Sequence, residues 1–452
     1  MKEEICALES NNTWSVVSLP PGKVAIGCKW VYKVKYKADG SVERFKACLM
    51  AKGYTQKEGI DYVDTFSPVA KLVTIRVILA LASVHNWPLY QFDVHNAFLQ
   101  GDLFEEVYMT LPQGFCSQGE SMVCRLQKSL YGLKQASRQW NLKLTEALLV
   151  SGYHQSRYDY SLFTKFQGDK MMVLLIYVDD LLITGSDEGL IQDLKNTLNK
   201  NFKMKDLGEL KYFLGLEILR SKEGIILNQR KYALELIEKS GLGGAKPSMT
   251  PLEQNRKYTS VEYDEQFEKI EDELLQDKSI FQRLIGRLIY LTHTRLDITF
   301  AVHTLSQFMQ RPKKSHLEAA FRVVRYIKKN PGQGIFLSAT KYRSMVVTAS
   351  EIVWLQGLFA ELKITIEGPA KMLCDSKAAL QIVANPVFHE RTKHIEIDCH
   401  FIREKIQNGS IQTEYVRSED QIADIMTKAL GIQQHEHLVS KLGFKDVFQP
   451  PT

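Results

Sequence analysis

The sequence predicts an α+β fold, with strands gathered in hairpins and amphipathic helices between them, and three observations carry that expectation. Apolar runs of strand length, residues 171–176 and 181–184, flank Tyr177-Val178-Asp179-Asp180 with no other polar residue between. That pattern reads as a β-hairpin buried on at least one face, with paired carboxylates at its tip. Residues 186–202 and 315–329 instead repeat their apolar positions at helical spacing. Residues 340–430 alternate helix and strand patterns, with no internal repeat and no low-complexity tract.

The 452 residues allow two to four domains, and a hydrophobic content of 44% supports a sizeable core. A net charge of +6 suits an anionic partner without requiring one. No apolar run reaches the roughly 18 residues of a membrane span. Charged Lys2, Glu3 and Glu4 open the chain with no apolar core after them, unlike a signal peptide. The seven cysteines are scattered and none forms a CxxC, which argues for a reducing compartment and against structural zinc. The expectation is an intracellular protein, of cytoplasm or nucleus, with no membrane partner.

In chain order, residues 29–37 alternate Trp30, Tyr32, Val34 and Tyr36 on one strand face with Lys29, Lys33, Lys35 and Lys37 on the other. Asp39-Gly40 is a turn signal, and residues 42–50 return. The lysine face is either solvated or a surface for phosphates. Residues 71–85 read as a well-buried helix, and residues 89–92 as a short strand that Asp93 ends. A turn at Gly132 leads into a long helix carrying Lys134, Arg138 and Lys143. After the acidic hairpin, Ser186 is the expected N-cap of an amphipathic helix lined by Ile191, Leu194, Leu198 and Phe202. Residues 251–278 read as a surface connection. Ser315 and Glu318 predict a capping box for the helix to 329, whose Arg322, Arg325 and Lys329 form a basic stripe beside an apolar one. Residues 342–363 and 376–383 read as helices, and 371–374 as a strand ending at Asp375.

Two adjacent acids at a hairpin tip have two readings. Aspartate is common in turns because its side chain bonds its own backbone. The other reading is a divalent cation that cancels the repulsion, which needs a third acid. Asp93, at the end of a core strand, is that candidate. If the strands are neighbours, Asp93, Asp179 and Asp180 converge on one sheet edge. They would form a site for hard cations such as magnesium, of the kind that serves in-line phosphoryl displacement.

Six blocks stand in one order: Trp30-Val31-Tyr32-Lys33, residues 51–56 (Ala-Lys-Gly-Tyr-Thr-Gln), residues 65–69 (Thr-Phe-Ser-Pro-Val), residues 93–99 (Asp-Val-His-Asn-Ala-Phe-Leu), residues 130–136 (Leu-Tyr-Gly-Leu-Lys-Gln-Ala) and residues 177–180. Together they resemble the reverse transcriptase of copia-type LTR retrotransposons of plants, over nearly the whole chain. The resemblance implies a right-hand polymerase of fingers, palm and thumb (residues 1–245). A connection (246–337), a truncated ribonuclease H-like α/β domain (338–435) and a tail (436–452) would follow. Asp93, Asp179 and Asp180 match the family's catalytic metal-binding acids, which implies two Mg2+ ions, with Mn2+ as a substitute. Phe98 matches an aromatic gate against the ribose 2′-hydroxyl, its other reading being a core aromatic. Tyr131, Gly132, Lys134 and Tyr177 fall in the family's nucleotide-binding blocks. The partners implied are an RNA template, a DNA primer and dNTPs. Leu111-Pro112-Gln113-Gly114 imitates a retroviral motif but lies too far ahead of Tyr177, and reads as a loop.

Two departures from the family matter. Cys48 replaces an arginine that by analogy grips the incoming triphosphate, and a thiol offers neither its charge nor its fork of donors. After Ser338 the chain runs directly into Tyr342-Arg343, so the first ribonuclease H acid is missing with its strands, and Lys341 stands where the second acid belongs. Asp375 and Asp424 match the remaining two. The cluster His389, His394, Cys399 and His400 fits no zinc spacing. The reading is an RNA-directed DNA polymerase with an inactive ribonuclease H part. Its rivals are a decayed product that only binds nucleic acid and an untemplated nucleotidyl enzyme such as a cyclase, which the fingers block and the ribonuclease H remnant disfavour.

Overall fold

A computed structural model of the chain describes residues 2–36, 41–113, 122–221, 223–267, 272–338, 349–366, 368–377, 380–381 and 402–446. Helices and strands are mixed throughout, as the α+β expectation requires. The chain divides into two units, residues 1–78 with 87–210 and residues 79–86 with 211–452.

In the first unit the apolar runs around the two acids form the expected hairpin. Lys170–Tyr177 pairs antiparallel with Asp180–Gly185, and Tyr177 lies opposite Asp180, so Val178 and Asp179 alone make the turn. Leu89–Val94 pairs with the outer edge of this hairpin and Met204–Glu209 pairs with Leu89–Val94. Leu162–Gln167 and His154–Gln155 complete a six-stranded antiparallel sheet on the other side. The runs are apolar at every position because both faces are covered. Met172, Leu174, Ile176, Leu181 and Ile183 pack with Trp140, Leu144 and Leu148 of the helix Ala136–Val150. They also meet Leu190, Ile191, Leu194 and Leu198 of the helix Glu188–Asn201. The N-cap of the latter is Asp187, whose carboxylate accepts from the Leu190 N–H at 3.0 Å, and not Ser186. Ser186 is drawn instead to the hairpin edge, where its hydroxyl accepts from the Met171 N–H at 2.9 Å.

Cys28–Tyr36 and Val42–Ala51 form the basic hairpin, in the register Trp30 to Leu49, Val31 to Cys48, Lys33 to Lys46 and Lys35 to Arg44. Its turn at Asp39-Gly40 lies outside the described residues. Leu111 to Gln113 is irregular, as the loop reading requires. The apolar segment at 71–85 is the helix Leu72–Val84.

In the second unit, Tyr212–Phe213, Leu216–Ser221, Gly224–Asn228, Gly334–Ser338 and Phe444–Lys445 form a five-stranded antiparallel sheet. A separate helical core gathers Phe281, Leu284, Leu288, Val302, Leu305, Val323, Val324 and Ile327. The helix Lys314–Lys329 has no side-chain cap from its N-cap residue, Lys313; only the return bond of a capping box is made, by the His316 ring, which accepts from the Lys313 N–H at 3.1 Å. Ser315 is pulled out of that role by the Asp272 carboxylate. The connection read at 251–278 contains a short helix, Val261–Gln266, with Val261 and Asp264 buried. Ala370–Cys374 and Ile411–Tyr415 make a two-stranded parallel sheet. Lys341 and the cluster His389, His394, Cys399 and His400 lie outside the described residues. No helix among the described residues is long and apolar enough to cross a membrane.

Candidate active site

Sheet register brings the acids together. Asp93 does not end its strand but lies inside it, directly opposite Asp180. Like charges facing each other across a ladder are destabilising unless a counter-charge joins them. Asp179 follows in the turn, and its carbonyl accepts from the Val94 N–H at 3.0 Å, which ties the tip back to the Asp93 strand. Burial pushes the Asp179 carboxyl up, with Asp93's charge adding to it and the Lys46 ammonium partly offsetting it. Burial likewise raises Asp180, against a hydrogen bond from the Gln91 carboxamide at 3.2 Å, and Asp179 and Asp93 raise it further. The two acids are held short of a positive charge.

That shortage fits a divalent cation, and the donors are the hard oxygens such an ion takes. Among the described residues no three of His, Cys, Asp and Glu form a ready-made chelate. Magnesium is commonly held by one or two carboxylates together with substrate phosphates, so such a chelate is not required of the protein alone.

The turn itself is strained. Val178 has φ of 58°, a left-handed conformation that a β-branched side chain resists. Its carbonyl accepts a hydrogen bond from the Trp140 indole at 2.7 Å. Trp140 is fully buried, and the Phe202 ring meets it edge-on at 5.1 Å. The helix Ala136–Val150 thus grips the tip that carries the acids.

Phe98 and Tyr131, read separately in the sequence, meet at 4.9 Å between ring centroids. Burial, then Asp179's charge, raises the Tyr131 phenol and keeps it protonated. Tyr177 sits opposite Asp180 in the hairpin. Gly132 has φ of 93°, and a Cβ there would lie 2.2 Å from the Ala51 carbonyl oxygen, so only glycine fits. The Lys134 ammonium donates to the Gln56 carbonyl at 3.3 Å and the Tyr62 hydroxyl at 3.1 Å. On the basic hairpin, Lys33 faces Lys46 and Lys35 faces Arg44. Cys48 lies two residues from Lys46 on the same strand face, and burial pushes its thiol up, so it stays neutral.

Asp375 and Asp424 belong to the second unit. Asp375 follows the strand Ala370–Cys374 and accepts from the Ser418 hydroxyl at 3.2 Å. Asp424 is buried and paired with the Lys428 ammonium at 2.9 Å, and Lys428 also feels the charge of Asp375. Two members of the basic stripe are paired within the fold: Arg322 reaches Glu253 and Thr250, and Lys329 pairs with Glu436, while the adjacent Lys328 donates to the carbonyls of Leu242, Gly243 and Ala245.

Sequence reasoning missed Gln91, Trp140 and Gln56. For Trp140 one signal existed, since a buried indole N–H needs an acceptor, but nothing in the sequence names that acceptor.

A profile of the family described as reverse transcriptase (RNA-dependent DNA polymerase) matches residues 11–254. The whole chain is 38% identical to the retrovirus-related Pol polyprotein from transposon RE1 of Arabidopsis thaliana, covering 34% of that protein. It is 35% identical, over 96% of its length, to the retrovirus-related Pol polyprotein from transposon TNT 1-94 of Nicotiana tabacum, covering 37% of it. The chain thus spans about a third of the length of these curated relatives. Among solved structures, a foamy viral protease-reverse transcriptase in complex with double-stranded DNA aligns over 92% of this chain and 70% of its own. The TM-score of that alignment is 0.43 and the identity 11%.

Proposed function

Because this chain belongs to the reverse transcriptase (RNA-dependent DNA polymerase) family, in the copia-type group of Pol polyproteins, we propose that it extends a DNA primer on an RNA template from dNTPs. The observation that supports this best is the pairing of Asp93 with Asp180, beside Asp179, in one sheet. Members of this family work with divalent metal ions. Here Asp93, Asp179 and Asp180 are the residues that would hold two Mg2+, or Mn2+ in their place. Those ions would supply positive charge to the attacking and leaving oxygens of the displaced phosphoryl group.

The residues of the chain then have separate tasks. Asp93, Asp179 and Asp180 present oxygen donors on one edge. Trp140 fixes the height of the tip. Phe98 and Tyr131 form an apolar wall on which the sugar of a nucleotide rests, and a 2′-hydroxyl there meets Phe98 rather than a hydrogen-bond partner. Lys33, Lys35, Arg44 and Lys46 form two like-charged pairs across the basic hairpin, an arrangement that an anionic partner relieves. Cys48 leaves the triphosphate grip to these lysines, so nucleotide binding is weak. Lys428 supplies to Asp424 and Asp375 the positive charge that cations supply in a working ribonuclease H site, and that part is inactive.

Primer extension on an RNA template with Mg2+ tests the proposal. Extension by the parent chain, lost with Asp179→Asn, is the expected result. Equal extension by the two would sink it. An RNA–DNA hybrid is expected to stay intact, and Asp375-dependent cleavage would overturn that part.

A further inference from the structure

The segment that carries Tyr131 is held in place by a carboxamide from a distant loop. Gln56 lies in the irregular stretch after the basic hairpin and is almost wholly buried, as is Gln135. The Gln56 Oε1 accepts from the Lys134 N–H at 2.9 Å, and its Nε2 donates to the Gln135 Oε1 at 3.1 Å. The Gln135 Nε2 in turn donates to the Asp61 carbonyl at 3.0 Å, closing a chain of amides across the loop. Two backbones meet beside it. The Ala51 N–H donates to the Tyr131 carbonyl at 2.7 Å, and a Cβ on Gly53 would lie 2.0 Å from the Gly132 oxygen. Lys134 adds its contacts to Gln56 and Tyr62, and its ammonium lies 4.7 Å from the centroid of the Tyr62 ring. The side chain of Lys134 therefore faces the loop.

We infer that Gln56 is a positioning residue: by bridging Lys134 and Gln135 it sets the height of Tyr131 against Phe98, and so sets how strictly the site rejects a ribonucleotide. This rests on the reading of Phe98 and Tyr131 as the sugar wall. A buried carboxamide with both ends bonded has one position, whereas an apolar side chain of the same length leaves the Lys134 N–H and the Gln135 Oε1 without the bonds that Gln56 makes to them. The wall then shifts by fractions of an ångström, which is enough to change discrimination while the acids on the neighbouring sheet stay where they are.

The test compares dCTP with CTP in single-nucleotide extension by the parent, Gln56→Met and Gln56→Glu. Gln56→Met is expected to lower the dCTP-to-CTP ratio of kcat/KM about tenfold. It should do so by raising KM for dCTP, with kcat within about twofold of the parent. Gln56→Glu keeps the acceptor for Lys134 and loses the donor to Gln135, so it falls between the two. Unchanged discrimination in a folded variant, or a loss confined to kcat, overturns the inference. If the parent itself extends no primer, the polymerase reading falls instead. The positioning is then read by hydrogen exchange. Gln56→Met must deprotect the amides of residues 132–135 relative to those of residues 172–175, and equal protection overturns it.

Discussion

The acidic hairpin and the segment around Asp375 and Asp424 both bring aspartates together, and they resolve the repulsion in opposite ways. At the hairpin, Asp93, Asp179 and Asp180 gather with burial raising two of them, and Lys46 opposes that at Asp179 only through its field. In the second segment, Asp424 has an ammonium of its own chain, that of Lys428, at 2.9 Å, and Asp375 is within reach of the same charge. A cluster of acids left short of charge has a use for a cation from solution. A cluster already neutralised has little. The difference separates an acid cluster short of positive charge from one neutralised within its own fold.

The sharpest way to break this contrast is to remove the unneutralised charge. Asp179→Asn or Asp180→Asn is expected to lower the extension rate by about a thousandfold or more, the scale of losing a principal electrostatic contact to a transition state. Rates within a few-fold of the parent would place the hairpin on the same footing as Asp375 and Asp424.

The next effect tests what holds the hairpin tip. Trp140→Phe keeps most of the packing with Phe202 and removes the bond to the Val178 carbonyl. It is expected to cost about 1–3 kcal/mol of stability and about tenfold in rate through misplacement of the acids. Adding Val178→Gly relieves the left-handed strain and is expected to recover part of the rate. No recovery in steady-state extension by the double variant would mean that strain at Val178 is not what the indole opposes.

Cys48→Arg sharpens the comparison from the nucleotide side. A guanidinium on the face that carries Lys46 is expected to lower KM for dNTPs about tenfold, the scale of one charge-assisted hydrogen bond. An unchanged KM would show that the basic hairpin is not where the triphosphate lies.

The smallest effect concerns stability without metal. The folded chain holds Asp179 and Asp180 above the ordinary carboxylate range, chiefly through burial. Such groups favour the folded state when protonated. Their contribution is fully present below the unfolded value and is lost as pH rises through the folded one. In metal-free buffer the melting temperature should therefore fall, from this source, as pH climbs out of the carboxylate range. Asp179→Asn is expected to flatten that fall and to melt on the order of 2 °C higher at neutral pH. Mg2+ should raise the parent and leave the variant behind. Equal pH profiles for the two in calorimetry would contradict the raised acid.

The reach of the sequence is uneven for a physical reason. Alternation and apolar runs report local environment, so both hairpins, the helix Leu72–Val84 and the acidic tip were legible from residues alone. Helix starts were less so. Ser186 and Ser315 had the right chemistry for caps, yet a strand edge in one case and Asp272 in the other offered them partners; Asp187 caps the first helix, and Lys313 holds the N-cap position of the second with no side-chain cap. The basic stripe of Arg322, Arg325 and Lys329 was legible as charge alone, and folding set its partners: Arg322 reaches Glu253 and Thr250, and Lys329 pairs with Glu436.

By itself the sequence determined which residues carry charge, where apolar runs begin and end, and that Asp93, Asp179 and Asp180 were the acids to watch. Only the tertiary structure decided that Asp93 faces Asp180, that Trp140 holds Val178, that Lys134 turns to Gln56 and Tyr62, and that Lys428 neutralises Asp424. Charge and apolarity belong to single residues and survive in a string of letters. A hydrogen bond between residues 38 or 78 positions apart depends on where folding puts both ends, and register across a sheet is set by every strand at once.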